Sequence, residues 1–323
     1  MEQPSDLEPP VPPYLSCLSE DGTLREFDVA ADIEAPSQSH LLFDQKARES
    51  MLVKARQLIQ AKYDKGIPFF SKDVFRSAVE QFDRCLDVNE PAKSVTLSAL
   101  DGTMVRFNVN VGSEFEICPP YKVVKTKPAL DYYALEYLTS PELNDIPDRV
   151  YLSVSVLQAT EYRHVETGEV AETVVPADYD TARARFERER EFWAESAQFA
   201  RLRSILTSSC IIPHIRNVVA FGCSSMSRQY EDRNKASLSQ HSLILEVRDV
   251  VMAEREGSPE IRCFAQDPAY TSVDEQVLGE AGITVLDDPR AWLAVDDGSV
   301  VVSISPDIPM ANGDDAPGGE DVD

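Results

Sequence analysis

The sequence predicts an α/β protein in which a Rossmann-like, mostly parallel sheet in the C-terminal third follows an α+β region of hairpins and helices. The first observation is that short, continuous apolar segments alternate with helical patterns beyond residue 216. Continuous apolar strands separated by helices are typical of a parallel sheet covered on both faces. The second observation is an Asp-Gly-Thr turn between β-prone segments in the first half, which indicates a hairpin. Four segments are predicted to form the parallel sheet: Val218–Phe221, Ile261–Ala265, Ile283–Leu286 and Val300–Ile304.

The Asp-Gly-Thr turn occurs twice in the N-terminal region. The segments Tyr14–Val29 and Ser94–Val109 both place Asp-Gly at their centre, and Gly22 and Gly102 are expected at positive φ. An internal repeat and two unrelated hairpins both account for the similarity, because two copies are too few to indicate a repeat architecture. Residues 1–13 are acidic and rich in proline, so they are predicted to be disordered.

Three helices are predicted in the rest of the α+β region, which is assigned to residues 14–206. The first contains Ala47–Tyr63, and the second begins after an N-cap at Ser71. A single long charged helix is predicted from Asp178 to Leu206. The apolar positions expected to face the core are Met51, Leu52, Ala55, Leu58 and Ile59 in the first helix, Val74, Phe75, Ala78, Val79 and Phe82 in the second, and Phe186, Trp193, Ala197 and Ala200 in the third.

The Rossmann-like domain is assigned to residues 207–310, and an acidic, disordered tail is expected at residues 311–323. The first helix of the domain is predicted at about Leu238–Val251. Ser272 and Glu275 are expected to form a capping box for the next helix, and Gly282 is expected to end it. A short helix is predicted to begin at Asp288 and the proline that follows it.

Composition and charge exclude several classes of function. The 323-residue chain has a formal net charge of −25, which repels nucleic-acid phosphates and argues against direct binding to nucleic acid. No apolar run reaches the roughly 18 residues that span a membrane, so no membrane association is predicted. The N-terminus lacks the features of a secretory signal, so we expect a soluble protein with reduced thiols in the cytoplasm, the nucleus or both. The 6 cysteines form no Cys-x-x-Cys pair, and no metal site is predicted.

Candidate ligand-binding residues lie at the carboxyl ends of the predicted parallel strands, where open α/β sheets bind ligands. Gly222 allows a tight turn after the first strand, and backbone amides in such a turn suit an anion. Asp267 follows the second strand, where a carboxylate accepts hydrogen bonds from ribose hydroxyls. The fingerprint G-x-G-x-x-G is incomplete, and Asp267 lies well beyond the usual spacing of about 20 residues, so a structural turn is the alternative. The candidates are Gly222, Cys223, Ser224, Ser225, Asp267, Pro268 and Ser303.

No catalytic residue is assigned, and a non-catalytic protein is favoured although an enzyme stays open. Cys223 stands at the expected entrance of a helix, where a thiolate is stabilised, but no histidine is placed to activate it. His241 lies deeper in that helix on an apolar face, so it is interpreted as a buried core residue. Arg228, Arg233 and Lys235 are suited to steer an anionic ligand, but the acidic residues between them also fit a solvated loop.

Several distinctive segments follow one another in the C-terminal third. They are VVAFGCSSMS, SQHSLILEV, CFAQDPAYTSVDEQVLGEAGITVLDD and VVVSISPDIP. In this order they resemble the sensitivity-to-red-light-reduced (SRR-like) family, and the upstream AKYDKGIPFFSKDVF resembles its fungal members. The resemblance implies a Rossmann-type protein without an established reaction, with roles in circadian and light-response regulation and in haem homeostasis.

The chain departs from the SRR-like pattern at its C-terminal end. Many members have a histidine beside a proline at the end of the last strand, where this chain has Ser305, Pro306 and Asp307. A role for that histidine therefore does not transfer to this protein. A further helix and strand found in longer members are expected to be missing.

Two functions remain as hypotheses. The leading one is an SRR-like regulatory or interaction protein with protein partners that the sequence does not identify, and no cofactor is firmly implied. The alternative is a transferase that binds a nucleotide or S-adenosylmethionine at the loop Gly222–Ser227, called the Gly222 loop below. The two differ at one point, because a ligand site needs an open cleft around Gly222 and Asp267. A scaffold would fill that space with side chains such as Phe221, Met226 or Tyr270.

Overall fold

The computed structural model describes residues 45–89, 91–118, 120–140, 151–171, 176–209, 212–228, 234–255 and 259–303. The expectations for residues 1–13, for the first Asp-Gly-Thr hairpin at Tyr14–Val29, for Ser305–Asp307 and for the tail at 311–323 lie outside these residues. So does Ile304, the last residue of the predicted fourth strand of the parallel sheet.

The described residues form eight α-helices and nine β-strands. None of these helices is long and apolar enough to cross a membrane. In the N-terminal half the elements are α1 (Gln45–Tyr63), α2 (Lys72–Cys85), β1 (Ser94–Ser98), β2 (Met104–Asn108), β3 (Glu114–Cys118), β4 (Tyr121–Tyr132), α3 (Leu135–Thr139) and β5 (Val154–His164). They are followed by α4 (Tyr179–Ala194), α5 (Ala197–Ser208), β6 (Asn217–Phe221), α6 (Lys235–Glu254), β7 (Arg262–Gln266), α7 (Ser272–Glu280), β8 (Ile283–Val285), α8 (Arg290–Ala294) and β9 (Ser299–Ser303).

The C-terminal strands form one parallel sheet, which confirms the predicted α/β class. Its order is β8-β7-β6-β9, and every neighbouring pair is parallel. The chain runs outward from β6 to β8 and then returns to the other side of β6 with β9. The strand order therefore reverses beside β6, and this is the point at which open α/β sheets bind ligands. Two antiparallel sheets precede it, with the orders β1-β2 and β3-β4-β5.

The second Asp-Gly-Thr turn is the tip of the β1–β2 hairpin, as predicted. Gly102 has φ +88°, a conformation that side chains with a Cβ atom rarely adopt. The carboxylate of Asp101 accepts hydrogen bonds from the backbone N–H and the hydroxyl of Thr103, both at 2.9 Å. The apolar faces predicted for α1 and α2 are also confirmed, and Ser71 caps α2 through the N–H of Val74.

An aromatic cluster joins the antiparallel region to one face of the parallel sheet. Its ring centroids are 4.9–6.3 Å apart, within the range of favourable aromatic pairs. The opposite face of β6 contributes to a second core beneath α6 and α7, so the strand is buried on both sides. The cluster consists of Phe70, Phe75, Tyr132, Phe221 and Trp292.

The carboxylate of Asp288 ties these two parts together at the edge of the aromatic cluster. It accepts hydrogen bonds from the Tyr132 hydroxyl at 2.5 Å, the Leu130 N–H at 2.9 Å and the Gln266 amide at 2.8 Å. Burial raises the pKa of the Asp288 carboxyl, although the three hydrogen bonds act in the opposite direction. The predicted short helix after this residue is present as α8.

The predicted single helix over residues 178–206 is wrong, because the structure divides it into α4 and α5. Ser196 interrupts it by accepting a hydrogen bond from the N–H of Phe199 at 3.0 Å, which is an N-cap interaction. The break also changes the buried face. Ala197 and Ala200 are exposed, whereas Phe199 and Leu202 pack against the core beneath α6.

Two boundaries in the parallel domain also differ from the prediction. The capping box of α7 consists of Thr271 and Asp274, one residue earlier than the predicted Ser272 and Glu275. The physical reason is that the Asp274 side chain is buried and receives further donors, whereas Glu275 is exposed. Helix α6 extends about one turn beyond the predicted segment at each end. Gly282 ends α7 with φ +87°, as expected.

Candidate functional site

The loop that follows β6 folds inward, toward the core of the protein. Gly222 has φ +69°, and Ser224 has φ +59°, so two nearby residues have left-handed backbone. The side chains of Cys223, Ser225 and Met226 are buried by this turn. The sequence therefore correctly identified a tight turn, but most of its side chains face the core.

The structure brings the Gly222 loop and Asp267 together at the carboxyl ends of adjacent strands. One carboxylate oxygen of Asp267 accepts a hydrogen bond from the Ser224 N–H at 2.6 Å, and the other accepts one from the Ala269 N–H at 2.8 Å. The Gly222 N–H donates to the carbonyl oxygen of Gln266 at 3.3 Å. Asp267 therefore links the loop to its own turn and is only partly exposed.

A second carboxylate, which the sequence prediction did not include in the site, holds the rest of the loop. Asp274 is fully buried, and one of its oxygens accepts from the N–H groups of Met226 at 3.0 Å and Ser227 at 2.9 Å. The other oxygen accepts from the N–H of Thr271 at 2.8 Å and from its hydroxyl at 2.9 Å. The sequence signal that could have identified Asp274 is the pattern Thr-x-x-Asp, which fits a capping box as well as the predicted Ser272 and Glu275 do.

The two carboxylates occupy the donors that a phosphate would use in a loop of this kind. A phosphate-binding loop offers unpaired backbone N–H groups at the end of the first strand. Here the N–H groups of Ser224, Met226 and Ser227 each donate to Asp267 or Asp274. An incoming phosphate would meet two negative charges and would have to displace satisfied hydrogen bonds.

The thiol of Cys223 is unsuited to act as a nucleophile. Burial, with a further contribution from the Asp267 charge, raises its pKa to about 12. The thiolate is therefore scarce at neutral pH, and nucleophilic attack requires the thiolate. Cys223 is thus a small apolar residue of the core.

His241 is a satisfied core residue, as the sequence indicated. Its side chain is fully buried, and the Nδ1–H donates to the carbonyl oxygen of Ser237 at 2.7 Å. That tautomer leaves Nε2 as an acceptor for the Tyr270 hydroxyl at 2.8 Å. Burial lowers the pKa of His241, so the imidazole is neutral near pH 7.

Side chains fill much of the space around the loop. Phe221 is fully buried, with its ring 4.9 Å from that of Trp292, and Met226 is fully buried on the loop itself. Tyr270 packs its ring 5.6 Å from the ring of His241. These contacts favour the filled arrangement over an open cleft.

The remaining two candidates lie at the margins of this region. Pro268 is exposed in the turn after β7. Ser303 is exposed at the end of β9, where it is the register partner of Phe221. It therefore lies on the opposite side of β6 from Asp267. Among the described residues, no group of three or more His, Cys, Asp or Glu side chains is arranged to hold a metal ion.

The fold and the loop define a class of protein: an α/β protein with a Rossmann-like sheet in which internal carboxylates bind the loop after the first strand. Residues 200–312 match the SRR1 domain family. The protein therefore contains an SRR1 domain, which confirms the SRR-like resemblance of its C-terminal third. No curated protein and no solved structure match the chain.

Proposed function

We propose that this SRR1-domain protein is a regulatory protein that acts by binding other proteins and not by catalysing a reaction at the Gly222 loop. The observation that carries the proposal is the pairing of the loop amides with Asp267 and Asp274. Donors that are already paired inside the protein contribute little to holding a substrate. The loop then serves to connect β6, β7 and α7 into a rigid unit.

The charge of the protein supports proteins as the partner class. A formal net charge of −25 disfavours nucleic acid and anionic membrane surfaces, and it favours partners with basic surfaces. The family resemblance suggests the processes to examine first, which are circadian and light-response regulation and haem homeostasis. The corresponding compartments are the cytoplasm and the nucleus.

The first experiment tests whether the loop binds a ligand. Thermal unfolding of the wild type and of Asp267→Asn would be recorded with S-adenosylmethionine, NAD and haem. We expect no ligand-induced shift that depends on Asp267. Any stabilisation of the wild type that disappears in Asp267→Asn would contradict the proposal, because ligands stabilise the state to which they bind.

The second experiment tests the interaction itself. Cross-linking of the tagged full-length protein in cells, followed by purification and mass spectrometry, should recover partner proteins in stoichiometric amounts. Recovery of the uncross-linked chain alone would contradict a function that depends on protein partners. Glu275→Lys, at an exposed position of α7, is a charge control against non-specific attraction to the acidic surface.

A transferase that binds a nucleotide or S-adenosylmethionine is a second candidate because one observation favours it. Asp267 follows β7 directly and lies beside the Gly222 loop, where a carboxylate binds ribose hydroxyls in Rossmann proteins. A carboxylate has about four acceptor positions, so its two bonds leave capacity for a ligand. Native mass spectrometry tests this candidate: an adenosyl ligand retained by the wild type and lost from Asp267→Asn would support it.

A further inference from the structure

A groove between α4 and α6 differs from its surroundings in charge. It has a volume of about 430 Å³ and is lined by residues of α4 and of the first turn of α6. Three of the lining residues are basic, namely Arg185, Arg188 and Lys235, and one is acidic, Glu189. Basic lining residues therefore outnumber acidic ones by three to one, and a local excess of positive charge attracts anions even in a protein with a net charge of −25.

Helix α6 presents its N-terminus to this groove. The helix has 20 residues, and its N-cap residue Asn234 makes no side-chain capping hydrogen bond. The first-turn N–H groups of a helix carry partial positive charge and need acceptors. An uncapped N-terminus beside Lys235 therefore suits a negatively charged group.

The side chain of Asn234 provides an independent indication of a ligand. Asn234 is fully buried and lines the groove, and its Nδ2 donates to the carbonyl oxygen of Arg228. Its Oδ1 has no hydrogen-bond partner among the residues that the structure describes. An unpaired buried acceptor costs about 1–3 kcal/mol, and a ligand that brings a donor to this oxygen would offset that cost.

The cations of the groove are available for a ligand to different degrees. Arg188 is exposed and forms no ion pair with any residue in the described ranges. Lys235 lies over the ring of Phe192, with its Nζ 5.5 Å from the ring centroid. Arg185 donates to the carbonyl oxygen of Arg228 at 3.3 Å, so part of its guanidinium is engaged. The acidic Glu189 accepts from the Ser239 hydroxyl at 2.6 Å.

The groove also presents an apolar, aromatic surface. Phe192 is 62% exposed, so its ring is accessible to a ligand. Leu238 forms part of the same lining. A phenylalanine ring beside Arg188 and Lys235 suits a ligand that joins a planar ring to an anionic group.

We propose that the α4–α6 groove binds a mononucleotide, that is, a phosphate monoester attached to a ribose and a planar base. The phosphate pairs with Arg188, Lys235 and the N-terminus of α6. A ribose hydroxyl or a base amino group supplies the donor for Asn234 Oδ1, and the base contacts Phe192. Pockets of roughly 300–1,000 Å³ accommodate ligands of this size.

This site is separate from the Gly222 loop, so the proposal goes beyond the regulatory function and does not depend on it. A nucleotide bound at the groove is insensitive to Asp267→Asn, whereas one bound at the loop requires Asp267. A regulatory protein with such a groove would respond to a small molecule while the amides of its Gly222 loop remain paired with Asp267 and Asp274.

Isothermal titration of the full chain with AMP, with inorganic phosphate and with adenosine tests the proposal. We expect saturable, one-site binding of AMP, with adenosine and phosphate each at least about tenfold weaker, because each retains only part of the contacts. Arg188→Glu and Lys235→Glu should each weaken AMP binding about tenfold or more, which corresponds to loss of one charged hydrogen bond. Phe192→Ala should weaken AMP binding and leave phosphate binding unchanged.

The matched control is Arg203→Glu, which makes the same charge change at an exposed position of the neighbouring helix α5. It should bind AMP as the wild type does. Equal weakening in the control would overturn the proposal in favour of a general charge effect. The proposal also fails if the wild type does not bind AMP, or if AMP binding survives both groove variants. Because Arg188 and Lys235 are exposed, both variants should fold, and their thermal midpoints would verify this.

Discussion

The Gly222 loop and the α4–α6 groove lie at opposite ends of the connection between β6 and α6, and they differ in whether their polar groups have hydrogen-bond partners. In the loop, the amides of Ser224, Met226 and Ser227 are paired with carboxylates of the protein. In the groove, the Oδ1 of Asn234 has no partner, and Arg188 forms no ion pair in the described part of the chain. Position in a Rossmann-like fold therefore does not by itself define a ligand site. The state of the hydrogen-bonding groups is what separates a structural loop from a candidate binding surface.

The largest expected effect comes from removing the carboxylate that closes the loop. Asp274→Ala removes the acceptor of the buried N–H groups of Met226 and Ser227 and of the partly buried N–H of Thr271. We expect the free energy of unfolding to fall by about 3 kcal/mol or more, since several buried donors lose their partner together. Urea denaturation measures it.

The control for that measurement is Glu275→Ala, the exposed neighbour in α7. Its effect should stay within about 0.5 kcal/mol, as for most surface substitutions. If Asp274→Ala lowered the free energy of unfolding no more than Glu275→Ala does, internal carboxylates would not hold the loop. The loop and the groove would then not differ in the pairing of their polar groups.

The next largest expected effect is a pH dependence of the stability that originates at the buried His241. Burial lowers the pKa of His241 in the folded protein, so the unfolded chain binds a proton there more readily. Stability should therefore decrease as the pH falls below the unfolded value of about 6.5, by at most about 1.4 kcal/mol per pH unit. Urea midpoints measured between about pH 7 and pH 5 test this prediction.

Substitution of His241 identifies the origin of the slope. In His241→Gln the part of the slope due to this residue should disappear, whatever the absolute stability of the variant. A slope that is the same in the wild type and in His241→Gln would assign the pH dependence to other groups.

A smaller effect is expected at Asp267. Asp267→Ala removes the acceptor of the Ser224 and Ala269 N–H groups, and both lie near solvent that can replace it. We expect a loss of about 1 kcal/mol, as for a helix cap, measured by urea denaturation. Asp267→Asn keeps one carbonyl acceptor and should lose less. If Asp267→Ala lowered the free energy of unfolding as much as Asp274→Ala does, water could not replace the lost carboxylate, and the edge of the loop would be as inaccessible to solvent as its centre.

Much of the fold could be predicted because its signals are local. The four parallel strands are apolar and continuous, and this pattern is typical of parallel strands that pack against helices. Gly102 marked its hairpin because its turn needs positive φ. The proximity of Asp267 to the Gly222 loop also followed from topology, since the carboxyl ends of adjacent parallel strands meet at one edge.

The features that could not be predicted depend on contacts between distant residues. Two overlapping capping boxes fit the start of α7, and only the tertiary donors of Met226 and Ser227 decide in favour of Asp274. Ser196 interrupts a continuous helical pattern, and the packing of Phe199 on the core decides that a new helix begins there. The groove arises from the approach of α4 to α6, so neither helix alone indicates it.

The smallest expected effect on stability concerns the groove, at Phe192. Its exposed ring buries little area, so Phe192→Ala should change the free energy of unfolding by no more than about 0.5 kcal/mol in urea denaturation. Phe186, on the same helix, is 2% exposed and packs in the core. Phe186→Ala should therefore cost about 3–5 kcal/mol. A large loss in Phe192→Ala would mean that the ring is retained for packing, and it would remove the aromatic contact from the proposed nucleotide site. A negligible loss would mean that folding does not require an exposed phenylalanine beside Lys235, which is what the proposed contact between the ring and a ligand requires.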